Sequence, residues 1–197
     1  MMLNDKQDKH EKSFELAPEG THNAICYRVV DLGTHKVEGQ FALDDKGNQK
    51  WHRKISLYFE IEETMSDGRR FMVFETFTAS FGEKANLRRF IKNWLGGDPA
   101  LPFDTDTLVG KGGLLSIAHK VSEKNGRTYV NVMGILPLPK GMKPLRPENE
   151  AFAFDIATPF DKTKFEKLSE WTRATINQSR EMRAPEPEVI PDDDIPF

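Results

Sequence analysis

Aromatic rings alternate with cations along several stretches of the chain, and that mixture suits a polyanion with stackable bases. Tyr58 shares strand parity with His52 and Lys54, Phe74 with Arg70, Met72, Thr76 and Thr78, and Tyr129 with Arg127 and Asn131. Such rings can stack nucleobases at about 1–3 kcal/mol each, while nearby Lys and Arg meet phosphates. Lys36, Lys46, Lys50, Arg53, Arg69 and Lys120 extend the basic set, and Trp51 adds a ring where a predicted strand begins. Each residue also has an ordinary reading: rings packed under loops or a C-terminal helix, Trp51 as core, and solvated Lys and Arg.

A second group lies at Asp192, Asp193, Asp194, Ile195, Pro196 and Phe197. Phe197, read as a terminus, would present a ring and an α-carboxylate to an apolar pocket rimmed by Lys or Arg. Ile195 is a second anchor, Pro196 restricts the backbone between them, and the three aspartates steer toward basic partners. A solubilising acidic tail would have no need of Ile-Pro-Phe. These six residues closely resemble the C-terminal tip of bacterial single-stranded DNA-binding proteins, and the whole arrangement is similar to a phage-encoded member of that class. The resemblance implies an OB-fold that coats single-stranded DNA in replication, recombination and repair, with a tip that recruits the proteins of those processes. Enzyme is the minority reading and no cofactor is expected, while the single cysteine, Cys26, fits an intracellular, reducing home, expected to be the cytoplasm of the bacterial host cell. The long first loop and the extra helix around Trp171 depart from the bacterial pattern, so tetrameric assembly is not carried over.

Other chemistries find little support. His10, His22, His35, His52 and His119 show no H-x-x-x-H or H-E-x-x-H spacing, and a single cysteine, Cys26, can form neither an intramolecular disulfide nor a cysteine-based zinc cage. Gly110-Lys111-Gly112-Gly113 lacks the first glycine and the Ser/Thr of a phosphate loop. There is no strand-to-helix nucleophile elbow. A metal-dependent nuclease would need a carboxylate pair such as Glu60 and Glu75, although Glu60 reads as a surface charge.

The composition bounds these readings. The chain has 197 residues, 38% hydrophobic and 30% charged, enough for one domain with extensions and a substantial core. That excludes collagen-like, mucin-like and wholly disordered classes. No stretch approaches the roughly 18 apolar residues of a membrane span, and the N-terminus lacks a signal-peptide core. The net charge of -3 conceals a division. Residues 21–146 hold 19 Lys/Arg against 14 Asp/Glu, whereas residues 181–197 hold Arg183 against six acids. A basic body with an acidic tail fits a polyanion-binding protein with an interaction segment.

The elements that must position these residues follow from periodicity. Residues 1–20 read as a flexible leader and 21–138 as the binding domain. Its first strand begins near Thr21, a long loop spans 33–50, and Trp51, Ile55, Leu57, Phe59 and Ile61 alternate with polar partners in the second strand. Asp67-Gly68 turns the chain into a third. Leu87, Phe90, Ile91, Trp94 and Leu95 then predict a helix, with Ser80 and Glu83 spaced as a capping box and Gly96 as its stop. Two further strands flank Asn125-Gly126. The order βββ-α-ββ predicts a mainly β protein, a five-stranded OB-fold barrel, with an α+β sandwich as the alternative.

A Pro-rich linker is expected over 139–160. A helix over 161–181, capped by Thr158 or Asp161 and anchored by Phe165, Leu168, Trp171 and Ile176, would pack on the barrel or on a second subunit of a homo-oligomer. Residues 182–197 read as a disordered acidic docking tail. Rival functions are a duplex- or RNA-binding architectural protein and an adaptor that binds only protein.

Overall fold

The computed structural model of the chain describes residues 15–157 and 159–183. Expectations for residues 1–14, Thr158 as a cap, and the tail from 184 onward, tip included, lie outside them. The protein is mainly β. Strands β1 (Gly20–Lys36), β2 (Trp51–Thr64) and β3 (Arg70–Thr78) precede helix α1 (Asn86–Leu95). Strands β4 (Gly112–Val121), β5 (Thr128–Leu136) and β6 (Phe152–Phe154) follow, then helices α2 (Lys162–Glu166) and α3 (Glu170–Asn177). The hydrogen-bonded path is β3-β2-β1-β4-β5, antiparallel throughout, and β6 joins β1 in parallel.

The 17-residue β1 is shared between two neighbours on one edge. Gly20–Ile25 pair with β4; a bulge between Cys26 and Arg28 then turns the strand, and Arg28–Val30 pair with β6. The stretch 139–160 is therefore more than a linker, since Phe152, Phe154 and Ile156 are buried within it. Residues 15–20 are likewise tied down rather than a free leader. Ala17 is buried, Glu15 accepts from Ser66, and Glu19 accepts the His119 backbone N–H.

Two apolar clusters sandwich the sheet. The larger packs Leu87, Phe90, Ile91 and Trp94 of α1 against Leu57, Phe59 and Ile61 of β2 and their neighbours. Gly113 allows the close approach, because a Cβ there would lie 2.7 Å from the Trp94 Nε1 atom. Gly96 ends α1 at φ 74°, but the capping-box expectation fails: the helix starts after Ala85, which makes no side-chain cap. The second cluster lies on the opposite face, where Val30 and Leu32 meet Phe152, Phe154, Ile156, Leu168 and Ile176.

The predicted C-terminal helix is divided. Asp161 caps α2 and Ser169 caps α3, and because Ser169 accepts the Thr172 N–H a new helix starts there. Both helices dock on this chain's own sheet.

Candidate nucleic-acid interface

The outer face of β2 and β3 carries the ladder Lys54/Thr78, Ser56/Thr76, Tyr58/Phe74 and Glu60/Met72. Strand alternation reads this face correctly, but only part of it is open to solvent. Ser56 and Glu60 are fully buried. Glu60 is no surface charge: it accepts the backbone N–H groups of Glu148 and Asn149 at 2.7 and 2.8 Å, and Asn149 Nδ2 at 2.8 Å. Glu75 belongs to the core-patterned side of β3 with Phe77, so the two carboxylates do not converge. Among the described residues no three His, Cys, Asp or Glu side chains gather as a metal site.

Tyr58 is half-buried beneath α3, with its hydroxyl 2.9 Å from the Thr172 Oγ1. Burial pushes its phenol above the usual range. Its ring stacks on Phe74 at 5.3 Å, and Phe74 in turn meets Trp171 of α3 at 5.4 Å. Phe74 remains 46% exposed and Trp171 54% exposed, so the solvent-facing rings here are Phe74 and Trp171, not Tyr58. Trp171 corrects the reading of that residue as an apolar anchor; Leu168 and Ile176 fill that role.

Beside the ladder lies a cleft of about 540 Å³ whose lining includes Lys36, Lys54 and Arg183 with one acid, Glu38, and Trp51, His35, His52, Thr78, Thr175 and Gln178. Lys36 Nζ stands 5.3 Å and the Arg180 guanidinium 5.4 Å from the Trp51 ring centroid. Trp51 is thus neither sealed core nor a bare stacking platform; it holds two cations at the cleft.

Several expected contacts are engaged elsewhere. Arg53 donates to Asp31 at 3.1 and 2.5 Å and to Asp155 at 3.1 Å, bonds that keep it firmly cationic. Arg69 is paired with Asp67 at 2.6 Å. Arg70 donates to the Arg146 carbonyl and faces Glu60 and Glu148, which pins residues 146–149 over β3. Lys50 closes the 37–50 loop through backbone bonds to Ala42 and Val37.

Lys120, Arg127 and Tyr129 form a separate group at the β4–β5 hairpin. There Tyr129 is 48% exposed and its hydroxyl accepts from Asn125 Nδ2. The structure therefore unites Lys36, Trp51, Lys54, Tyr58 and Phe74, with Lys120, Arg127 and Tyr129 apart from them. Sequence reasoning missed Trp171, Thr175, Arg180 and Arg183. The signal for Trp171 and Thr175 was their spacing with Gln178 beside the buried stripe Thr172, Ile176, Ser179.

Compared with protein-family models and with curated proteins, the chain matches none.

Proposed function

We propose that this protein binds single-stranded DNA with little sequence preference and serves replication, recombination and repair as a phage-encoded single-stranded DNA-binding protein. The observation that carries the reading is the exposed Phe74–Trp171 pair beside the cationic cleft of Lys36, Lys54 and Arg183. Stacking on aromatic faces tolerates any base, and a cluster of cations suits a phosphate backbone. The strand path β3-β2-β1-β4-β5, with its end strands β3 and β5 in contact, supports an OB-type barrel. The Asp192–Phe197 motif would recruit partner proteins to the coated strand.

Fluorescence anisotropy of a labelled dT oligomer, longer than the roughly 4–16 nucleotides an OB domain covers, tests the proposal. Binding should weaken linearly in log affinity against log salt, and a matched duplex should bind about tenfold more weakly. No binding at low salt, or equal binding of duplex, would overturn it.

A further inference from the structure

Resting on the single-strand reading above, we infer that α3 is one side of the nucleic-acid track: the strand follows the α3–β3 seam, with bases on the exposed faces of Trp171 and Phe74, whose rings meet at 5.4 Å, and phosphates at the Trp51 cleft. Two parallel periodicities line the seam. On α3 and its C-cap, Trp171, Thr175 and Gln178 recur at i, i+4 and i+7 and so form one stripe. On β3, Phe74, Thr76 and Thr78 recur at i, i+2 and i+4 on the outer face. The stripes begin together where Trp171 meets Phe74, and they end together where Thr175, Gln178 and Thr78 line the same cleft. At about 3.3 Å per strand residue, the path from Phe74 to Thr78 is about 13 Å.

The helix is held in place by its other stripe. Thr172 bonds Tyr58, Ile176 is fully buried, and Ser179 packs on Gly33, where a Cβ would come within 2.5 Å of the Ser179 Cβ. Beyond the helix, the Arg180 N–H donates to the Thr34 carbonyl at 2.9 Å and Thr34 donates twice to Glu181. This clasp places Arg180 over Trp51 and Arg183 in the cleft, so a backbone crossing it meets cations from both the sheet and the C-terminal segment. The Thr and Gln side chains along the seam are uncharged, with Thr76 bonded to Ser56 and Thr175 donating to the Trp171 carbonyl, so they set no charge against a passing sugar-phosphate chain.

The full chain and its variants decide the matter in the same dT titration. Trp171→Ala should weaken binding about tenfold, the loss of one stacked base, while Trp171→Phe should stay within about threefold of the parent. Arg183→Ala should lower the salt slope by about 0.7, one phosphate contact to a single strand, whereas Lys92→Ala on the far helix should leave the slope unchanged. Unchanged melting temperatures would show that the losses are not loss of fold. If the parent binds dT while Trp171→Ala and Arg183→Ala match it in affinity and slope, the α3 track is wrong and the single-strand reading stands. If the parent itself fails to bind, both fall.

Discussion

Glu60 shows how one carboxylate turns a solvent-patterned strand position into the fastening of a distant segment. Its parity places it on the outer face opposite Met72, and that much is legible in the sequence. The cover is not, because it comes from Glu148, 88 residues away. Glu60→Ala would strand two backbone N–H groups and the Asn149 side-chain amide, and would leave Arg70 with Glu148 and the Arg146 carbonyl alone. Urea denaturation should show a loss of about 3 kcal/mol for Glu60→Ala and about 1 kcal/mol for Glu60→Gln, which keeps an acceptor. A loss under about 0.5 kcal/mol for Glu60→Ala would refute the fastening.

Glu75 behaves in the opposite way. Burial alone raises its carboxyl above the usual range, so the folded state favours the protonated form. The stability this confers is complete below the unfolded-state range and is lost as pH rises through the folded one. Glu75→Gln should therefore stabilise the protein at neutral pH and give no advantage in acid, as paired melts at the two pH values would show. Cys26 is buried, and desolvation pushes its thiol far upward, so a thiol reagent at about pH 8 should label it only after denaturant is added.

At the level of elements, legibility depended on whether two environments face a strand or helix. In β2 the core and outer faces differ, and alternation exposed both. In β1 the residues from Ala24 through Gly33 are buried on both sides, Arg28 excepted, so the alternation of Ile25, Tyr27 and Val29 with Ala24, Cys26 and Arg28 marks no solvent face. The apolar stripe of α1 was plain, but its start was not, because the helix begins without a side-chain cap. The six-residue gap between β4 and β5 was readable from Asn125-Gly126, a local turn signal, whereas β6 has only three residues and exists because β1 offers a vacant edge after its bulge. Trp171 was misread because a ring on a helix beside a sheet suggests core, and only the neighbouring stripe shows which side is buried.

The clasp of α3 on β1 is testable through Gly33. Its φ is +78° and an added Cβ would strike Ser179, whereas Gly47, at φ +84°, has nothing within 4 Å. Gly47→Ala should cost about 1 kcal/mol from backbone conformation alone. Gly33→Ala should cost clearly more and speed tryptic cleavage at Lys162, Lys164 and Lys167. Equal costs and equal cleavage rates would mean that Ser179 is not held against β1.

Over the whole molecule, charge is sorted along the chain in a way that one net value hides. Residues 21–146 carry a net +5, whereas 184–197 contain five acids and no Lys or Arg. Arg183, the last described residue, lines the cationic cleft, so the acidic run is tethered at the edge of the surface it complements. A tether this short gives an effective concentration on the order of millimolar. The acidic run and an oligonucleotide would then compete for the same cations, and bound DNA would free the Asp192–Phe197 motif for a partner protein. Deleting residues 184–197 should accordingly tighten dT binding at low salt. The advantage should shrink as salt approaches about 1 M, where the screening length falls to about 3 Å. Unchanged affinity at low salt after the deletion would separate the two charged regions functionally.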